Sequence, residues 1–91
     1  MSPAYINCEI LPGLFDSEYY VAVNGSSAYY VSKENVKLRN EQPSADNPVN
    51  GVVYGYIVLQ ENSKTLVQLP GEPARDNGVR TWVATEDVHA L

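Results

Sequence analysis

The chain has 91 residues, of which 44% are hydrophobic, and this size and composition predict one globular domain rather than a disordered chain. Eleven carboxylates against six Lys and Arg residues give a formal charge of −5, so the cation clusters that bind phosphates are missing and direct nucleic-acid binding is not expected. The single cysteine excludes an intrachain disulfide. With no signal peptide at the start and no apolar run near the roughly 20 residues of a membrane helix, we expect a cytoplasmic protein.

Short β-branched and aromatic runs, separated by Gly, Pro and Asn, predict an all-β fold. A one-turn helix of 3-10 type is predicted over residues 32–35, and a second tight turn over residues 85–87. In the first strand, Ile6, Cys8 and Ile10 share one face. In chain order, the predicted strands span residues 5–11, 18–23, 28–31, 36–38, 52–59, 65–69, 79–83 and 88–91.

The two halves of the chain end in similar sequences. Residues 30–36 (YVSKENV) and 82–88 (WVATEDV) share the pattern aromatic, Val, small, any, Glu, Asn or Asp, Val. The preceding strands align in the same order. Residues 19–23 lie over 65–69, and residues 5–11 over 53–59.

This match predicts a single domain, residues 1–91, with a pseudo-twofold internal repeat. The halves are residues 4–39 and 52–91, joined by a linker loop over residues 40–51 that is rich in turn formers. A half of about forty residues cannot bury an adequate core alone. We therefore expect either one small barrel or two packed three-stranded antiparallel units.

The segments 29–38 and 80–88, each an aromatic-Val pair followed by a tight turn and a short strand, resemble the ends of Src-homology-3-like barrels of Tudor, KOW or bacterial type. This resemblance implies a small β-barrel. It also implies peptide recognition through an aromatic groove between loops. A Tudor-type cage for a methylated lysine would need about three converging rings, which Tyr20, Tyr29 and Tyr54 or Tyr56 could supply.

The tyrosines are the main candidates for a binding surface. Asn24-Gly25 predicts a hairpin, and with a loop of two or four residues the strands alternate so that Tyr20 and Tyr29 lie on the face opposite Tyr30. Because Tyr30 aligns with Trp82, we assign Tyr30 to the core, which leaves Tyr20 and Tyr29 as an outer pair. The alternative is that the second half, or a second subunit in a homodimer, covers this pair.

Two loops flank this predicted surface, residues 41–51 and residues 70–78, and the second carries Glu72, Arg75 and Asp76. We therefore predict a partner-binding site made by Tyr20, Tyr29, Tyr54, Tyr56, Glu72 and Arg75.

Catalytic residues are not evident in the sequence. Cys8 alternates with apolar residues and is interpreted as a small buried hydrophobe. His89 is interpreted as a surface residue of the last strand, and Glu86-Asp87 as acidic residues at the start of a helical turn. No phosphate loop or metal-ligand spacing is present, so we expect no cofactor and no enzymatic activity.

The sequence therefore favours a non-catalytic protein-binding or regulatory module with an unidentified protein partner. Two alternatives remain at this point. One is an acidic inhibitor of phage type that mimics nucleic acid and blocks a basic partner. The other is a structural component of a larger assembly.

Overall fold

The computed structural model describes residues 1–75 and 78–91, which form an all-β half-barrel from one curled antiparallel sheet. The predicted all-β class is therefore confirmed. The described part of the chain has two 3-10 helices, η1 (Lys33–Asn35) and η2 (Thr85–Asp87), at the two predicted tight turns. Its nine strands are β1 (Ser2–Pro12), β2 (Glu18–Ala22), β3 (Ala28–Ser32), β4 (Val36–Leu38), β5 (Val49–Gln60), β6 (Lys64–Gln68), β7 (Glu72–Pro73), β8 (Arg80–Ala84) and β9 (Val88–Ala90).

Two long strands, β1 and β5, form the middle of the sheet. The strand order is β7-β3-β2-β1-β5-β6-β8, with β4 added to β5 and β9 added to β1. β1 and β5 are antiparallel from Ser2 opposite Ile57 to Ile10 opposite Val49. Because β5 begins at Val49, the segment between β4 and β5 ends at Pro48, earlier than the predicted linker.

The two short strands cross between the halves. In β4, Val36 lies opposite Val53 of β5, and in β9, Val88 lies opposite Ile6 of β1. Ile6 and Val53 also lie opposite each other in the β1–β5 pair, and both are fully buried. Each half thus gives its last strand to the first strand of the other half, and the two share one core.

The register corrects one part of the sequence alignment. The pairings make Val53, not Tyr54, the equivalent of Ile6, so the alignment of residues 5–11 with 53–59 is one position out at this point. The reason is a β-bulge between Ile57 and Leu59, where the pairing with β6 shifts by one residue. A bulge adds one residue to one strand, and sequence spacing alone does not locate it.

The core lies on the concave face of the sheet and is built mainly from β-branched residues, which suit strands. The predicted alternation in β1 is confirmed, because Ile6, Cys8 and Ile10 are all buried. Other strands contribute side chains to the same cluster, among them Tyr19, Val21, Tyr29, Val31, Val67 and Val83.

The hairpin between β2 and β3 has a loop of three residues. The Val23 N–H donates to the Ser27 carbonyl at 3.1 Å, which leaves residues 24–26 as the loop. Asn24 fixes this conformation, because its Oδ1 accepts hydrogen bonds from the backbone N–H groups of Ser26 at 2.9 Å and Ser27 at 2.8 Å. The Asn-Gly signal therefore locates the hairpin but not its loop length.

A loop with an odd number of residues places the side chains of β3 on the faces opposite to those predicted. Tyr20 lies opposite Tyr30, and Val21 lies opposite Tyr29. Tyr29 is fully buried, whereas Tyr20 and Tyr30 are both half-buried on the convex face. The predictions that Tyr29 faces outward and that Tyr30 belongs to the core are both wrong.

The segment between β6 and β8, predicted as a loop, contains β7. Pro73 and Glu72 pair with Tyr29 and Tyr30 and so extend the sheet beyond β3. Asp76, which the sequence placed in this loop, lies outside the described residues. Within residues 1–75 and 78–91, we find no helix with the length and apolar character needed to cross a membrane.

Candidate functional site

Three tyrosines meet on the convex face at the centre of the sheet. Tyr5 of β1 lies opposite Tyr54 of β5, and their ring centroids are 6.1 Å apart at 71°. Tyr56 follows two positions along β5, with its centroid 5.5 Å from that of Tyr54, again at 71°. Edge-to-face contacts of this kind stabilise aromatic pairs beyond their buried area. We call Tyr5, Tyr54 and Tyr56 the central tyrosine cluster.

Lys37 and His89 border the central tyrosine cluster. Lys37 of β4 holds its Nζ 4.9 Å from the centroid of Tyr5, a cation–π distance. His89 of β9 lies opposite Tyr5 on the other side and is exposed. The Tyr54 hydroxyl donates to that of Tyr56 at 3.5 Å, and this contact raises the pKa of Tyr54. The cluster therefore presents tyrosine hydroxyls and π faces next to the ammonium group of Lys37.

A second apolar group lies across β1, β2 and β3 on the same face. Leu11 lies opposite Tyr20, and Tyr20 lies opposite Tyr30, with the two rings 5.6 Å apart at 70°. Glu72 of β7 lies opposite Tyr30 and is exposed at the edge. We call Leu11, Tyr20 and Tyr30 the first lateral row.

A matching group lies across β5, β6 and β8. Leu59 lies opposite Leu66, and Leu66 lies opposite Trp82. Leu59 is 49% exposed and Trp82 is 40% exposed, so the group forms an apolar patch on the surface. We call Leu59, Leu66 and Trp82 the second lateral row. The convex face thus carries one aromatic cluster with an apolar row on each side.

The predicted site residues separate into different roles. Tyr54 and Tyr56 lie together, whereas Tyr20 belongs to the first lateral row with Glu72 at its end. Arg75 is exposed and lies away from these tyrosines, with its Nη1 donating to the Gly25 carbonyl of the β2–β3 loop at 3.1 Å. Tyr29 cannot contact a partner on this face because it is buried beneath it.

Sequence reasoning missed Tyr5 and the exposed pair Leu14-Phe15 between β1 and β2. Tyr5 lies on the face of β1 opposite Ile6, so strand alternation could have placed it outside. Leu14 and Phe15 stand between Pro12-Gly13 and Asp16-Ser17, so two large apolar residues inside a turn were the available signal.

His89 is linked to a carboxylate through an amide side chain. His89 Nε2 lies 2.9 Å from Asn7 Oδ1, and Asn7 Nδ2 donates to Asp87 Oδ1 at 3.2 Å. An amide therefore separates the imidazole from the carboxylate. Burial raises the pKa of the Cys8 thiol to about 12, so this thiol remains protonated near neutral pH and is a poor nucleophile.

One groove has a volume of about 470 Å³ and lies where β1 emerges between β9 and β2. Amide and charged side chains, including Asn7, Asn24, Arg39 and Asp87, line much of it. Among the described residues, no group of three or more His, Cys, Asp or Glu side chains is placed to hold a metal ion.

At a coarse level this half-barrel is compatible with a Src-homology-3-like fold. Comparison with protein-family models, curated proteins and solved structures finds no match to this chain.

Proposed function

We propose that this chain is a non-catalytic protein-binding module of Src-homology-3-like type, and that its partner contacts the central tyrosine cluster. The observation that carries this proposal is the cluster itself, three half-buried rings in edge-to-face contact at the centre of an open face. Tyrosine is enriched at interface hot spots because its ring buries a large area with few rotatable bonds.

The geometry of the cluster supports a preorganised contact surface. Tyr5, Tyr54 and Tyr56 stand on the two longest strands of the sheet. Strand pairing fixes the backbone of Tyr5 and Tyr56 on both sides, and Tyr54 pairs with Tyr5. Each ring also restricts the rotamers of its neighbour. A partner would therefore lose little free energy in ordering this surface.

The charges at the cluster indicate the chemistry of the partner. Lys37 holds its ammonium over the ring of Tyr5, so the centre of the face carries a positive charge although the whole chain is acidic. A partner segment that carries carboxylates beside apolar side chains would complement it. A nucleic-acid mimic needs a face of clustered carboxylates, and the position of Lys37 supports the first proposal over that alternative.

The experiment compares two pairs of tyrosines. Partners are isolated by affinity purification from the source organism, and the dissociation constant of the purified partner is measured by calorimetry. The double variant Tyr54→Ala/Tyr56→Ala is expected to weaken binding at least about thirtyfold, as hot-spot residues do.

The matched control is Tyr20→Ala/Tyr30→Ala, which removes another edge-to-face pair from the same face and is expected to change affinity less than about threefold. Circular dichroism melts establish that both variants fold. Equal affinity of the wild type and the Tyr54/Tyr56 variant, or a loss only in the Tyr20/Tyr30 variant, would overturn the assignment.

A further inference from the structure

The connection between β1 and β2 projects two large apolar side chains into solvent. Leu14 is 73% exposed and Phe15 is 70% exposed, the highest values among the large hydrophobic residues described. Both lie in residues 13–17, beyond the end of β1 at Pro12. Tyr5 lies seven residues before Pro12 on β1, which corresponds to about 23 Å along the strand. The loop is therefore separate from the central tyrosine cluster.

Glu18 organises this loop from within. The backbone N–H of Leu14 donates to Glu18 Oε2 at 3.0 Å, and the N–H of Glu18 donates to the Phe15 carbonyl at 3.2 Å. Gly13 packs against Glu18, since a Cβ at position 13 would lie 2.7 Å from the Glu18 carbonyl oxygen. The loop therefore holds Leu14 and Phe15 outward in a defined conformation.

The other half of the chain shows that the fold does not need these apolar residues. β5 and β6 occupy the equivalent positions and are joined by residues 61–63, Glu-Asn-Ser, all exposed and polar. That turn closes tightly, with the Glu61 N–H donating to the Lys64 carbonyl at 2.9 Å. A three-residue polar turn thus makes the same connection that carries Leu14 and Phe15 in the first half.

We infer that Leu14 and Phe15 insert into an apolar pocket of a partner protein. Exposed apolar residues on an ordered loop bring no packing to their own fold, and their burial on binding is favourable. Asp16 lies beside them and is exposed, so the rim of the receiving pocket would carry a Lys or Arg. The acidic loop and the net charge of −5 disfavour an anionic lipid surface.

The test starts with a photo-crosslinking residue placed at position 15 and, as a control, at position 62 of the polar turn, in the full chain within cells of the source organism. The expected result is one discrete adduct from position 15 and none from position 62. The crosslinked protein is then purified, and its affinity for the chain is measured by calorimetry.

Two variants make the affinity measurement decisive. Leu14→Ser/Phe15→Ser is expected to weaken binding at least tenfold. Replacement of residues 13–17 by Glu-Asn-Ser is expected to do the same while leaving the melting temperature unchanged or higher. Unchanged affinity in both variants would overturn the inference, as would an adduct with a second copy of this chain or retention on phosphatidylcholine vesicles.

The Tyr54→Ala/Tyr56→Ala variant separates this inference from the proposed function. If it weakens binding and the loop variants do not, the inference about Leu14 and Phe15 fails while the proposed function stands. If the loop variants weaken binding and the tyrosine variant does not, the proposed tyrosine site is wrong and the inference about Leu14 and Phe15 stands.

Discussion

The side-chain amide of Asn24 donates a hydrogen bond of 2.9 Å to the backbone carbonyl of Trp82, 58 residues later in the chain. It also donates to Thr81 Oγ1 at 3.2 Å. The equivalent edge in the other half, at Tyr30, is covered by the backbone of β7. The edge strand β3 is thus covered by a short strand and the edge strand β8 by a single side chain, each from the opposite half, which limits pairing with foreign strands.

The first prediction concerns this amide. Asn24→Asp keeps the oxygen that accepts from Ser26 and Ser27 but replaces the donor to Trp82 by a second acceptor. We expect a loss of about 1–3 kcal/mol in the free energy of unfolding, measured by urea denaturation. Asn62→Asp, the same change in an exposed turn, is the control, and an equal effect at both sites would contradict the role of Asn24.

The second prediction concerns Gly55, between Tyr54 and Tyr56. A Cβ here would lie 2.7 Å from the Gln68 carbonyl oxygen and 2.9 Å from Ile6 Cδ1, so Gly55→Ala must displace β6 or the core. We expect destabilisation of about 1–3 kcal/mol in thermal or chemical unfolding. Gly25→Ala, where nothing lies within 4 Å, is the matched control. If the two alanine variants are equally stable, the close approach of β6 is not present in solution.

The third prediction concerns pH and Cys8. Burial raises the pKa of this thiol to about 12, from 9.0, so the unfolded chain loses its thiol proton at lower pH than the folded one. The stabilising effect of the protonated thiol is complete below pH 9 and is lost as the pH rises from 9 to 12. In this range, stability should fall by up to about 1.4 kcal/mol per pH unit more steeply than in Cys8→Ala.

The measurement is a series of urea denaturation curves at increasing pH for the two proteins. Because the two proteins share every other titratable group, only the difference between the curves reports on Cys8. Parallel curves would show that the thiol is solvated in the folded state. Native protein should also react slowly with a thiol reagent at neutral pH.

The fourth prediction tests the faces of β3. Tyr29 is fully buried and Tyr30 half-buried, so Tyr29→Ala should cost about 3–5 kcal/mol of stability, as loss of a core aromatic does. Tyr30→Ala should cost much less, because only part of its ring leaves a packed environment. Differential scanning calorimetry measures the loss of stability in each variant. A larger loss in Tyr30→Ala than in Tyr29→Ala would support the faces predicted from the sequence.

The sequence predicts the described strands other than β7 and the positions of both 3-10 turns, because period-two alternation and turn residues are local signals. Asn24-Gly25 shows why the binding face was harder to predict. Its local signal favours an even loop, but hydrogen bonds to Asn24 Oδ1 stabilise a loop of three. One residue of loop length moves every side chain of β3 to the other face, which exchanged Tyr29 and Tyr30.

The exchange of short strands between the halves could not be predicted from local sequence signals. Val36 and Val88 would bury an equal apolar side chain against the first strand of either half. Residues within these short strands therefore do not predict which first strand each one joins. The central tyrosine cluster depends on the same long-range register, since Tyr5 and Tyr54 meet only because β1 pairs with β5.

The strand exchange also has a kinetic consequence. β1 pairs with β9 only when parts of the chain as distant as Asn7 and Asp87, 80 residues apart, come together. Neither half can therefore finish folding before the other. Contacts of this sequence separation slow folding and favour a single all-or-none transition. For the same reason, after proteolytic cleavage at residues 40–48 the two fragments would remain noncovalently associated, because each supplies a strand to the sheet of the other.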